Sequence, residues 1–312
     1  MLVTEAPYLA SAPEVDAATR LISGSEVSTW QMCELKWFFQ FKLGRQPRKL
    51  SDALFIGTMG HEALSTYYTL LKDGVDWSNA VESMQDFVVR EMAKNNEQRK
   101  TGFITGTMAS ERQLLITKLA GILEDYANTI AEQDAINYEV VEVEAMHVSK
   151  GFFAMRLDLL LRERSTRDLI LMDHKFLRNF YQQKQLSMNS QIVRYIKVVG
   201  GDREEKVSKG MLNMLRTHES AVEKFQRVVI PYNETVATRR MADQLKVAEN
   251  VRVAWAMSNQ ECLDTLIRTL SDYTCKFCPF TEPCMLALAG RKEDMKDELR
   301  MNFEKSTYGY NK

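Results

Sequence analysis

Hydrophobic positions along the chain change period twice, and the changes set a short β region between helical flanks. Two capping-box spacings, Ser23-x-x-Glu26 and Ser28-x-x-Gln31, precede an apolar stretch that predicts a helix with Cys33 inside it and a stop at Gly44. Over residues 53–73, Leu54, His61, Leu64, Tyr68 and Leu71 fall close to one helical face ahead of Gly74. Two more helices fit 77–95 and 109–133, separated by the Gly/Thr-rich turn at 102–107. The period then drops to two. Val141, Val143 and Ala145 alternate with Glu142 and Glu144, residues 151–162 read as a second strand, and Leu169–Phe176 as a third. Further helices are predicted at 190–199, 208–226 and 235–270, with a short strand near 227–232. The expected architecture is α/β (α+β): a small sheet from the middle of the chain, wrapped by helices from both ends. Residues 1–22, with two prolines and little periodicity, read as a flexible arm and 291–312 as a tail. Between them lies one domain, 23–290, made of a helical region at 53–138, a core segment at 139–200 and a cysteine loop at 271–290.

At 312 residues and 45% hydrophobic content the chain can build a real core. It has no apolar run approaching the roughly 20 residues of a membrane helix, and its first residues carry acids rather than a basic leader. A soluble cytoplasmic protein without a membrane partner is expected. Lysine and arginine total 41 against 42 acids, so any attraction for nucleic acid must be local. One stretch offers it: Lys36, Lys42, Arg45, Arg48 and Lys49 alternate with Trp37, Phe38, Phe39 and Phe41, with no acid between. An amphipathic helix with solvated charges explains that stretch equally well.

The segment Met155-Arg-Leu-Asp158-Leu-Leu-Leu, a polar turn, and Leu169-Ile-Leu-Met-Asp173-His174-Lys175-Phe176 reads as a β-hairpin. Strand alternation puts Asp173 and Lys175 on one face and His174 on the other. Charge inside so apolar a strand costs several kcal/mol unless it is partnered. Two carboxylates, Asp158 and Asp173, beside an ammonium suit a hard divalent cation and the phosphate it brings, although a buried Asp–Lys pair alone would be ordinary. His61 follows Gly57-x-x-Gly60 on an apolar helical face, where a core histidine is the bland reading. Gln191 and Tyr195 share a helical face, and Glu144 is a further candidate ligand or a solvated edge residue.

The five cysteines point to ligation rather than disulfides. Cys275, Cys278 and Cys284 form C-x₂-C-x₅-C, a loop whose prolines are expected to break any helix. Cys33 is the better fourth ligand because Cys262 lies in a long predicted helix and reads as a small buried hydrophobe. Zinc could use the same four thiolates.

The order Gly57-x-x-x-His61, Asp158, Asp173-x-Lys175 and Gln191-x-x-x-Tyr195 resembles the RecB-like branch of the PD-(D/E)XK nucleases. That branch includes nuclease domains of bacterial helicase–nucleases, CRISPR-adaptation exonucleases and phage-borne relatives. One cysteine near the N-terminus and three near the C-terminus are similar to its iron–sulfur members, and the likeness runs from about Ser25 to Cys284. The resemblance implies a restriction-endonuclease-like core sheet surrounded by helices, and a DNA exonuclease acting on ends or single strands in recombination, repair or DNA processing. His61, Asp158, Asp173 and the backbone carbonyl of His174 would hold Mg²⁺ or Mn²⁺. Lys175 would orient the attacking water, and Gln191 and Tyr195 would support the site and contact DNA. A [4Fe-4S] cluster on Cys33, Cys275, Cys278 and Cys284 would staple chain ends that otherwise have no local reason to meet. Met155 and Phe176 depart from the family pattern, which usually has glycine and a small hydroxyl residue there. With no G-x-x-x-x-G-K-[ST] phosphate loop, any helicase or recombination motor would be a separate polypeptide. The alternative is an inactive iron–sulfur or zinc DNA-binding subunit.

Overall fold

Alternation in the middle of the chain does build a sheet, and the flanks are helical. The computed structural model describes residues 20–101, 104–149, 153–182, 186, 190–201, 205–218, 221–230 and 232–306. Most of the expected N-terminal arm and the last residues of the expected tail lie outside these. In chain order the elements begin with β1 (Ile22–Ser23), α1 (Gly24–Met32), α2 (Glu34–Trp37), a π-helical turn (Phe38–Lys42) and β2 (Arg45–Pro47). There follow α3 (Asp52–Lys72), α4 (Trp77–Lys100), α5 (Gly106–Tyr126), a second π-helical turn (Ala127–Ala131) and α6 (Glu132–Asn137). Strands β3 (Tyr138–Ser149), β4 (Phe153–Glu163) and β5 (Leu169–Leu177) come next, then α7 (Ser190–Gly201), β6 (Val207–Arg216) and β7 (Phe225–Ile230). The chain closes with α8 (Glu234–Ala256), α9 (Asn259–Thr265), α10 (Asp272–Lys276), α11 (Thr281–Leu288), α12 (Lys292–Asn302) and β8 (Phe303–Lys305).

These elements fall into two compact units, each drawn from separate stretches of chain. Residues 50–147 and 156–238 form one, built on a mixed sheet in the order β3-β4-β5-β6-β7. The hairpin pairs antiparallel, Leu159 opposite Met172 and Arg162 opposite Leu169. β5 and β6 are parallel, so their connection must cross the sheet, and α7 lies on it. Gly210 of β6 lets α7 come close, since a Cβ there would stand 2.0 Å from Ile192 Cγ2. On the other face Leu159, Leu161, Ile170 and Met172 pack with Leu64, Tyr67, Leu123 and Tyr126 of the helices. Full burial of such a side chain stabilises by about 1.5–3 kcal/mol.

The helix expected over 208–226 is instead β6 and the start of β7. Gly210 to Leu215 are buried without exception, as in a parallel strand covered on both faces, and such a run carries no alternation to mark it. The long helix expected over 235–270 is broken too. α8 stops at Ala256, and Ser258 opens α9 with a reciprocal capping box to Glu261.

The other unit comprises residues up to 49, 148–155 and 239 onward. Ser23 caps α1 by accepting from the Glu26 N–H at 3.0 Å. Cys33 does not sit inside a helix: its extended backbone, φ −167° and ψ 118°, separates α1 from α2. The chain ends in this unit meet through ordinary contacts, correcting the expectation that they have no local reason to do so. β2 pairs antiparallel with β8, Arg45 opposite Lys305 and Pro47 opposite Phe303. Leu35 N–H donates to the Ile267 carbonyl at 3.3 Å, and Ile267 N–H to Glu34 Oε2 at 2.9 Å.

Candidate active site

Ser51 caps helix α3, its hydroxyl accepting from the Leu54 N–H, and the helix carries half-buried His61 towards the hairpin. The preceding Gly60 is required sterically, because a Cβ there would meet the Phe176 ring at 2.2 Å. Phe176, the departure at the position after the lysine, thus packs against the helix beside the histidine, its ring 5.9 Å from the imidazole. His61 Nδ1 lies 3.4 Å from Asp158 Oδ2, and the same carboxylate oxygen accepts from the backbone N–H of His174 at 2.8 Å. The His61 and His174 rings lie edge to face, their centroids 6.2 Å apart, so the backbone of residue 174 runs beside the site.

Glu144 comes from β3, where its φ of 48° breaks the extended backbone. The strand bends, and Glu142 Oε2 reaches His147 Nε2 at 2.8 Å, a contact that five residues of straight strand would forbid. Donor atoms of His61, Glu144 and Asp158 lie within 4.8 Å of one another, the arrangement a metal ion needs. Asp173 stands behind this trio, 1% exposed, with neither carboxylate oxygen in a hydrogen bond. Lys175 Nζ is 2.6 Å from Asp173 Oδ2, an ion pair whose angle falls outside hydrogen-bond geometry. The same ammonium donates to Gln191 Oε1 at 3.1 Å, and Gln191 Nε2 donates to Tyr195 Oη at 3.0 Å. The spacing of Gln191 and Tyr195 on α7 therefore becomes a continuous polar relay to the hairpin lysine.

Burial sets the electrostatics. It raises the Asp158 carboxyl well above the usual carboxylate range, with the Asp173 charge adding to it, and it raises Glu144 in the same direction. Burial lowers the His61 imidazole. Burial also works against the Lys175 charge, but Asp173 and Asp158 outweigh it and hold the ammonium above the ordinary lysine range. Tyr195 is pushed up to about 12, mainly by burial. The site thus pairs carboxylates short of positive charge with a lysine that stays protonated. A buried carboxylate that accepts no hydrogen bond, beside a His–Glu–Asp trio, fits a divalent cation by its donor chemistry.

Sequence reasoning missed the residues behind His174. Its ring is buried against Tyr68, and Asn213, Arg227 and Asp134 follow in a polar chain. The available signal was Asn213 itself, a lone amide inside Met-Leu-Asn-Met-Leu.

The cysteines occupy the other unit. Cys33 lies at the α1–α2 break, Cys275 on α10, Cys278 in the loop after it and Cys284 on α11. Pro283 does not break α11: it occupies the first turn, where a missing N–H costs nothing. Burial raises the thiols of Cys278 and Cys284, the latter to about 11, and each also feels the charges of Cys33 and Cys275. Cys262 is apart, fully buried, with its Sγ 3.5 Å from the Ala254 carbonyl. The basic stretch is also rearranged. Lys42 is buried and donates to the carbonyls of Ala254, Trp255 and Met257 at the end of α8, which removes it from any phosphate-binding patch. Arg45 is buried, Lys36 is half-buried, and exposed Arg48 donates to the Met301 and Arg300 carbonyls. Lys49 is exposed, whereas Trp37, Phe38 and Phe39 are core residues rather than a stacking surface.

A profile of the PD-(D/E)XK nuclease superfamily matches residues 21–285. No curated protein matches the chain in sequence. Among solved structures, the chain is similar to one named "Putative exonuclease" from Eubacterium rectale, at 10% identity and a TM-score of 0.49, covering 90% of this chain and 93% of that one. It is also similar to the structure of SSO0001, at 16% identity and a TM-score of 0.29, covering 56% and 76%.

Proposed function

Because the chain belongs to the PD-(D/E)XK nuclease superfamily, we propose that it is a metal-dependent DNA exonuclease, hydrolysing phosphodiester bonds at DNA ends or in single strands during recombination, repair or DNA processing. The observation that carries this reading is the gathering of His61, Glu144 and Asp158 beside the buried Asp173–Lys175 pair. Those three side chains, with Asp173 and the His174 carbonyl beside them, would hold Mg²⁺ or Mn²⁺. When bound, the ion supplies a Lewis acid for a phosphate oxygen and for the attacking water. The chain's own residues do the rest. His61, kept neutral by burial, offers an unprotonated ring nitrogen. Lys175 is held from two sides by Asp173 and Gln191, so its charge is fixed in place to orient water and balance phosphate. Tyr195 stays protonated at neutral pH and holds Gln191.

The same reading places a structural [4Fe-4S] cluster on Cys33, Cys275, Cys278 and Cys284, one thiolate per iron. Supporting it is the charge of Cys33 and Cys275 felt at both Cys278 and Cys284, whereas Cys262, in the same unit, turns its thiol to the Ala254 carbonyl. A helicase or recombination protein would act as a separate partner.

The test is digestion of end-labelled single- and double-stranded DNA, with circular controls, in Mg²⁺ and in Mn²⁺. Parental protein should degrade the linear forms, and Asp173→Ala or Lys175→Ala should lower the rate by about 10² or more. A folded variant cutting at the parental rate would remove the assignment. Parental protein that binds DNA but leaves it whole would favour the inert binding subunit.

A further inference from the structure

Behind the proposed metal site lies a closed ring of buried polar and aromatic contacts that the reaction does not use. His174 is 3% exposed and points away from Asp173 and Lys175. Its Nδ1 is 2.9 Å from Asn213 Nδ2, across the parallel β5–β6 register that sets the two residues side by side. Asn213 is fully buried, and Arg227 Nε donates to its Oδ1 at 3.1 Å. Arginine can only donate, so the Asn213 oxygen must face it and the Asn213 amino group must face His174. His174 Nδ1 is then an acceptor, and the ring is the neutral tautomer with its proton on Nε2. Arg227 continues the ring with a two-pronged ion pair to Asp134, 2.5 and 2.7 Å. Asp134 accepts from the Tyr68 hydroxyl, and the Tyr68 ring stacks on His174 at 5.5 Å. Tyr126 braces the corner, its hydroxyl 2.6 Å from that of Tyr68 and 3.1 Å from Asp134 Oδ2.

Tyr68 follows His61 by seven residues on α3, which brings the two to the same helical face. One end of that face carries a candidate ligand and the other enters the ring. Next to Tyr68 in the ring, the residue 174 backbone fixes Asp158 through its N–H. We infer that Asn213 and Tyr68 are positioning residues for the proposed metal site, setting the separation of His61 from Asp158 and the His174 carbonyl by locking the His174 side chain as a neutral strut that is not itself a ligand. This rests on the metal-site reading above, and its test is independent of DNA cleavage.

The experiment titrates Mn²⁺ into the full-length protein without DNA, followed by electron paramagnetic resonance, for the parent, Asn213→Leu and Tyr68→Phe. Both variants should bind Mn²⁺ about 10–100-fold more weakly, the loss typical of residues that orient metal ligands, with Tyr68→Phe at the mild end and still folded by circular dichroism. Nitrogen-15 spectra of metal-free parent should show the His174 ring protonated on Nε2, and Asn213→Leu should lose that uniform signature. Unchanged Mn²⁺ affinity in folded Tyr68→Phe would overturn the inference, as would a parental His174 ring protonated on Nδ1. Parental protein that binds no Mn²⁺ would instead remove the metal-site reading, and the tautomer measurement would still decide whether the strut exists.

Discussion

A carboxylate buried as deeply as Asp158 beside Asp173 binds its proton more tightly in the folded chain than in the unfolded one, and Glu144 is shifted the same way. Their contribution to stability is therefore full below the ordinary carboxylate range and is lost as pH rises towards their folded values. His61 is shifted downward, so its contribution is full above the ordinary histidine value of 6.5 and is lost as pH falls below it. Burial and the neighbouring carboxylate thus disfavour the ionised form of the metal-free site, a penalty that a bound cation would relieve and that grows as pH rises. Mn²⁺ should raise the melting temperature more at pH 8 than at pH 5. Asp158→Asn can keep the hydrogen bond from the His174 N–H while removing the charge, so without metal it should melt above the parent at pH 8 and lose the Mn²⁺ increment. Thermal melts at both pH values, with and without Mn²⁺, check this. An Asp158→Asn protein melting below the parent at pH 8 would mean that the carboxylate stabilises the metal-free fold.

Among the elements, those with a clean period were legible in the sequence. α3, the hairpin and α7 stand within a few residues of their expected bounds, the helices because each has an apolar face and the hairpin because two apolar runs flank a polar turn. Asp158, Asp173 and Lys175 could be singled out because charge in an apolar strand survives in one dimension, as does the four-residue spacing of Gln191 and Tyr195, whereas His61 by itself read as a core histidine and became a candidate ligand only through the family resemblance. β6 could not be read, since burial on both faces erases alternation, and with it went Asn213 and the parallel register that sets it beside His174. The bend at Glu144 was invisible for another reason: no glycine marks its positive φ. The fit of α7 onto β6 gives an element-scale prediction. Gly210→Ala drives a methyl into Ile192, which is fully buried and stiff at χ1, so it should cost about 1–3 kcal/mol in urea unfolding. In an Ile192→Ala background the added methyl fills vacated space, and the same substitution should be neutral or stabilising. An equal cost in both backgrounds would mean that the close approach of Ile192 does not set the energetics.

For the molecule as a whole, the question is what joins the two ends of the chain in the unit that contains all five cysteines. Lys42 in the carbonyls ending α8, the β2–β8 ladder, and the ring stack of Phe39 on Phe280 and Phe280 on Phe303 join them directly. A cluster on Cys33, Cys275, Cys278 and Cys284 would therefore reinforce an existing junction, and its loss should loosen rather than unfold it. Anaerobically purified parent should be brown, with broad visible absorption and with iron and sulfide in cluster proportion. Replacing any of those four cysteines with serine should remove the colour, whereas Cys262→Ser should keep it, because that thiol is turned to the Ala254 carbonyl. Limited proteolysis of the colourless variants should cut first around residues 271–290, where Tyr273 and Phe277 stand exposed and α10 is only five residues long. Cleavage should spare the β2–β8 ladder, whose backbone hydrogen bonds do not depend on the thiolates. Stoichiometric zinc without iron or sulfide would replace the cluster with a tetrahedral site on the same ligands. A brown Cys33→Ser protein would instead show that the N-terminal cysteine is not a ligand, and that the ends are held by the ladder, the Lys42 hydrogen bonds and ring packing.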